Sequence, residues 1–200
     1  KKDKKDYLLE GSLRNKKSVL NDQILQVIKL KYPQIDLINT EFESKNDFTF
    51  NINDKFKVKN LSINSSILIN SSQLKKNNLI NKNFIEINEL IDLKDHKIKA
   101  SYANKKLSIE GKGQIKLQNK FEFIDYKVKN NGSNLNLVSN IELSELDIKN
   151  QSLIKEYLPK TKDTLNLKDH KIQINYQDNI LALDGFGKIK FEKELNQIKY

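Results

Sequence analysis

The six residues Leu93-Lys94-Asp95-His96-Lys97-Ile98 return 74 positions later as Leu167-Lys168-Asp169-His170-Lys171-Ile172. The frame then runs without a gap to the end of the chain. Tyr102 falls on Tyr176, Leu107 on Leu181, Gly111 on Gly185, Gly113 on Gly187, Ile115 on Ile189 and Tyr126 on Tyr200. A looser echo precedes it, with Asn60-Leu61-Ser62-Ile63 the same distance before Asn134-Leu135-Asn136-Leu137. A chain with such a frame is an array of one unit, and each copy buries its apolar side by lying against the next. The boundaries read as an irregular or partial first repeat over 1–47, a repeat over 48–120, and a repeat with a truncated continuation over 121–200.

Inside the unit the apolar period is two. Leu107, Ile109, Gly111, Gly113, Ile115 and Leu117 share one parity, while Ser108, Glu110, Lys112, Gln114 and Lys116 take the other. Leu181, Leu183, Gly185, Gly187, Ile189 and Phe191 repeat the pattern, and Ile98-Ala100-Tyr102 and Ile172-Ile174-Tyr176 alternate likewise. Alternation of this kind makes strands with one apolar and one wet, lysine-rich face. Asn104-Lys105, Gln177-Asp178-Asn179 and Asn130-Asn131-Gly132 fall between them as hairpin turns. Helical spacing appears near 21–31, over 150–158 behind an Asn150 cap, and weakly over 79–84. The reading is a mostly β chain: an elongated, curved antiparallel sheet of repeats of about 74 residues, with roughly five strands and one short helix each.

Composition narrows the function classes. With 37% hydrophobic and 31% charged residues the 200-residue chain can hold an apolar core. No apolar run reaches the ~20 residues of a membrane span, and the opening Lys1-Lys2-Asp3-Lys4 is no signal peptide. With Met 0 besides, the chain reads as a piece of a longer protein whose anchor or targeting segment lies elsewhere. Cys 0 excludes disulfides and thiolate metal sites. The net charge of +10 is lysine, since Arg14 is the single arginine. Asn, Ile and Lys are inflated together, as an AT-rich coding sequence produces, so the charge reads first as base composition and solubility, with a polyanionic partner as the lesser alternative.

The polar motifs point away from catalysis. His96 and His170 are the only histidines, each after an aspartate, and occupy one repeat position. Set a full unit apart, they cannot converge on one site, and a structural turn or strand-start role is expected. Gly111-Lys112-Gly113 and Gly185-Phe186-Gly187 lack the third glycine of a nucleotide fingerprint and lie inside strands. Gly111, Gly113, Gly185 and Gly187 are read as strand-bending points. No cofactor and no metal is expected. Nucleic acid is not an expected partner, because arginine is nearly absent and the aromatics share the apolar parity. The apolar face remains. Either two sheets close on each other as a sealed sandwich, or one sheet curls and leaves its inner face open to acyl chains.

The unit Leu-x-Asp-His-x-Ile-x3-Tyr, then a turn, then Leu-x-Ile/Leu-Glu/Asp-Gly-x-Gly-x-Ile, resembles the repeats of AsmA-like bacterial envelope proteins, closest to the large YhdP-like members. The likeness covers most of the chain from about Phe48 onward. It implies a repeating β-groove, tethered to the inner membrane and lying in the periplasm, that carries phospholipids toward the outer membrane. It further implies that Ile98, Tyr102, Leu107, Ile109, Ile115, Leu117, Ile172, Tyr176, Leu181, Leu183, Ile189 and Phe191 line the groove against phospholipid acyl chains. Flanking repeats would cover both ends of the sheet. The lysine load and the missing anchor depart from the family pattern. The expected function is therefore a non-enzymatic lipid conduit, the alternative a structural or adhesive β-repeat spacer with a closed core.

Overall fold

A computed structural model describes residues 6–31, 36–76, 87–132, 134–149, 164–178, 180–191 and 194–200. It holds ten strands and one helix, in the order β1 (Asp6–Val19), α1 (Asp22–Lys31), β2 (Leu37–Asn53), β3 (Val58–Lys75), β4 (Leu90–Ala103), β5 (Lys106–Lys116), β6 (Phe121–Asn130), β7 (Leu135–Lys149), β8 (Thr164–Gln177), β9 (Ile180–Phe191) and β10 (Glu194–Lys199). The strands form one open antiparallel sheet in chain order, each paired with the one before and the one after. Among the described residues each strand contacts only the strands next to it in this order, and α1 contacts β2. The stretch from Leu90 to Lys149 holds four long strands. Strands of 10–18 residues absorb chain that ordinary five- or six-residue strands would divide. Residue 48 lies inside β2, and residue 121 begins β6.

Local chemistry sets the punctuation. Asn104 and Lys105 both have positive φ (51° and 62°) between the paired residues Ala103 and Lys106, the two-residue hairpin turn that matches strand twist. Asp178 (φ 51°) turns β8 into β9, and Gly132 (φ 93°) sits between β6 and β7 with its N–H donating to Asn130 Oδ1 at 2.7 Å. Helix α1 starts where Asn21 Oδ1 accepts the Ile24 N–H at 2.9 Å, and Asp22 complements the dipole of its first turn. The helical expectations over 79–84 and 150–158 lie outside the described residues.

The registers put the apolar parities of all ten strands on one side. A single row across the sheet runs Asn15, Ser44, Ile67, Ile98, Gly111, Tyr126, Ser139 and Ile174, each directly opposite the next. The sequence parity, however, changes phase along several strands. In β4 the apolar residues are odd at Ile91 and Leu93 but even from His96 onward, and in β8 they switch between Leu167 and His170. A β-bulge repairs the phase each time. Register shifts between Lys94 and Lys97 and between Lys168 and Lys171, where Asp95 (φ 53°) and Asp169 (φ 52°) take the left-handed conformation. Asn39 (φ 50°) does the same in β2. The Asp-His motif is thus neither turn nor strand start: it lies inside β4 and β8 as the bulge that keeps both halves of a long strand facing the same way.

The buried residues gather at and beyond this line of bulges. Ile91, Leu143, Leu146, Leu165 and Ile189 are the buried apolar side chains among the described residues, joined by Thr40, Ser72, Lys76, Glu122, His96 and His170, with Ser139 buried on the hairpin side. The polar members are paired. Thr40 and Ser72 share a 2.6 Å hydroxyl bond, and the Glu122 carboxylate accepts the Ser144 N–H (2.8 Å) and hydroxyl (2.6 Å) where β7 changes phase. Because Asp95 is exposed with positive φ, Asp95→Gly should leave urea-unfolding stability unchanged or raise it slightly. Asp95→Val should lower it by about 1–2 kcal/mol, the cost of a β-branched residue in the left-handed region.

Candidate functional site

Three features of the sheet could carry function: the repeated histidine motif, the apolar face and the lysine-rich face. The histidine motif is a packing unit. A Cβ on Gly113 would fall 2.5 Å from Cγ and Cδ2 of His96, and one on Gly187 would enter the His170 ring. Glycine at these positions gives the imidazole a bed on the neighbouring strand. Gly111 and Gly185 do the same for the Tyr126 and Tyr200 rings, and Gly11 for Phe48. His96 and Tyr126 then lie with ring centroids 6.1 Å apart, His170 and Tyr200 6.0 Å.

The imidazoles are also hydrogen-bonded across the bulge. His96 Nε2 meets the Gln114 carbonyl at 2.9 Å and His170 Nε2 meets the Lys188 carbonyl at 3.0 Å. A carbonyl only accepts, so each Nε2 carries the proton. In the neutral ring Nδ1 of His170 is left to accept the Tyr200 hydroxyl at 3.2 Å. Burial holds His96 below the usual imidazole range, opposed by the Gln114 carbonyl and the nearby Asp95 carboxylate. Burial likewise pushes the Tyr126 and Tyr200 phenols up. Among the described residues no group of three or more His, Cys, Asp and Glu could hold a metal ion.

The expected groove residues within the strands, apart from Phe191, whose side chain lies outside the described ones, share the apolar face but not one environment. Ile98 faces Ile67 and Gly111, Tyr102 faces Ile63 and Leu107, and Ile109 faces Ala100 and Val128. Ile115 faces Leu93 and Glu122. Ile172, Tyr176 and Leu183 face Gly185, Leu181 and Ile174 across β8 and β9. Ile98, Tyr102, Leu107, Ile109, Ile115, Ile172 and Tyr176 are half-buried, as is Leu117 in the bend after β5. Ile189 is buried, whereas Leu181 and Leu183 are 61% and 51% exposed. Phe191 closes β9 opposite Glu194.

A cavity of about 950 Å³ crosses the sheet from β1 to β6. Each strand lines it with consecutive residues: Glu43-Ser44-Lys45, Ser66-Ile67-Leu68, Lys97-Ile98-Lys99, Glu110-Gly111-Lys112 and Asp125-Tyr126-Lys127, with 14–17 of β1. The middle residue of each triplet belongs to the apolar face and its two neighbours to the other. The apolar-face residues two places away, such as Ile69, His96, Ala100 and Ile109, do not line it. The cavity therefore lies over the lysine-rich face, walled by two rows of side chains and floored by backbone. Of the expected groove residues it includes Ile98 alone, and of the glycines Gly111. No sequence pattern marks this trough, because its lysines come together only through the strand registers.

Further along the same face Glu145 is held at a pKa of about 2 by hydrogen bonds from Lys120 and Asn166 and by the charge of Lys168. No family model, curated protein or solved structure matches the chain.

Two outcomes follow for the packing unit. Gly113→Ala should cost about 1–3 kcal/mol of stability by chemical denaturation, since the imidazole has nowhere to shift. For pH, the folded state holds His96 below its unfolded value of 6.5, so the unfolded chain binds the extra proton first. Stability is then full above pH 6.5 and declines as pH falls below it, before the carboxylates titrate. His96→Gln removes that decline, and an unchanged slope in the variant would discard the assignment.

Proposed function

We propose that this chain is a segment of a bridge-like lipid-transfer protein whose apolar face shields phospholipid acyl chains from water. One observation carries the reading: a single open sheet keeps the alternating apolar rows of its strands on one side, with a few apolar residues such as Leu8, Val138 and Phe186 on the other, yet leaves several members of those rows in water. Tyr7, Leu9, Leu13, Leu181 and Leu183 are exposed on that side. An apolar surface of this extent marks a binding surface, and each methylene buried there contributes about 0.8 kcal/mol. The mechanism is passive and non-enzymatic: acyl chains lie on the apolar face while head groups remain hydrated.

The finer architecture belongs to the same proposal. Units of about 74 residues, each with its glycine steps at Gly111-x-Gly113 or Gly185-x-Gly187, lie side by side and curl into a trough. The resemblance to AsmA-like envelope proteins supports a place in the periplasm, a tether to the inner membrane in another part of the protein, and flanking repeats at both sheet ends. The buried strip around Ile91, Leu143, Leu146, Leu165 and Ile189 favours a second reading, an envelope spacer with a closed core.

Lipid extraction separates the two. Solvent extraction and mass spectrometry of the purified protein should recover phospholipid. Leu181→Asp with Leu183→Asp, both exposed, should lower the yield several-fold without altering the far-ultraviolet dichroism. A lipid-free protein that also ignores a fluorescent fatty acid favours the spacer.

A further inference from the structure

We propose that the trough on the lysine-rich face binds an extended, phosphate-bearing polyanion laid across β1–β6. Base composition accounts for how many lysines the chain has, but not for where the registers bring them. Residues lining the trough include Arg14, Lys45, Lys97 and Lys112. Arg14 lies directly opposite Lys45 on the neighbouring strand, and Lys97 directly opposite Lys112. Like charges facing each other across a ladder destabilise a sheet. Lys45 is offset by Asp47 at 3.0 Å. Lys97 and Lys112 are exposed, and no carboxylate among the described residues lies within ion-pair distance of either.

The corresponding pair in β8 and β9 is different. Lys171 faces Phe186 and forms an ion pair with Glu142 at 3.1 Å. In the trough, by contrast, Lys97 faces Leu68 on its other side and Lys112 faces Asp125, which offsets the pair across the ladder without forming an ion pair. Over the whole lining, eight lysine and arginine residues stand against Glu43, Glu110 and Asp125, and one of those acids, Glu110, is already engaged by Lys127. An anion between Lys97 and Lys112 turns mutual repulsion into two attractions.

The geometry selects the kind of anion. Six strands span five spacings of ~4.8 Å, so the trough is about 24 Å long, much longer than one phosphate. Its cations are compact ammonium groups apart from Arg14. Such point charges attract phosphate oxygens without the bidentate geometry that a guanidinium gives to phosphate and carboxylate alike, so they fit a repeating phosphate chain read by charge and length and not by the edges of bases. The acyl-chain reading concerns the opposite face, so the two proposals stand or fall separately.

Short-chain inorganic polyphosphate is the probe, read by isothermal titration with the full 200-residue chain. Expected is saturable binding that weakens with added salt, and a loss of about tenfold in Lys97→Gln with Lys112→Gln. Lys112→Phe, which copies the Lys171–Phe186 arrangement, should weaken binding to a similar extent while keeping the fold. Inorganic phosphate alone should bind far more weakly. The proposal is overturned by no binding of polyphosphate, by binding that the two variants leave intact, or by orthophosphate binding as tightly as the polymer. Equal binding of polyglutamate, or binding confined to phosphatidylglycerol vesicles, overturns it as well.

Discussion

The imidazole seated on a glycine of the next strand, with its Nε2 proton on a carbonyl across a bulge, is the contact on which the rest of the sheet depends. Strands of 14 residues cannot hold one apolar face by alternation alone when the sequence changes parity midway. At Lys94-Asp95 and Lys168-Asp169 the extra residue is taken up by a left-handed aspartate. The histidine then fills the widened ladder from the apolar side. Without the bulge, Ile91 and Leu93 would turn to the lysine face while Ile98 and Tyr102 stayed on the other. The glycines belong to the same device, since any side chain at Gly113 or Gly187 would displace the ring that closes the gap.

This arrangement also divides the apolar face into two territories. Beyond the bulges, side chains such as Ile91 and Leu165 are nearly inaccessible, at 1% and 2% exposure. On the hairpin side the leucines of β1 and β9 remain in water. The proposed lipid surface is the second territory, anchored by the first. The lysine-rich face is divided in a comparable way. Over β6–β8 its charges are matched, with Lys120, Lys168 and Asn166 gathered on Glu145. Over β1–β6 the registers leave facing cations and a long trough.

Much of the fold was legible because its cues are local. Period-two alternation gave the two-faced strands, Asn104-Lys105 gave a tight hairpin, and the helical spacing over 21–31 gave α1. What was not legible depends on partners distant in sequence. Gly111 and Gly113 read as bends, but their immediate partners are rings at Tyr126 and His96, which no period reveals. The phase change between Leu93 and His96 was visible, yet an interrupted alternation looks the same whether the chain turns or bulges. The trough was hidden for a similar reason. Lys97 and Lys112 become neighbours only when β4 and β5 adopt their shifted register.

A sheet in which each strand touches only its predecessor and successor behaves as a linear zipper. Its stability is a sum over adjoining pairs, and disorder introduced at one edge need not travel to the other. Removing or inserting an even number of strands preserves the direction in which the chain leaves, whereas an odd number reverses it. Such a molecule can be lengthened or shortened in whole hairpins without redesigning what remains. Its reach is therefore a quantity that evolution, or an engineer, can set by counting.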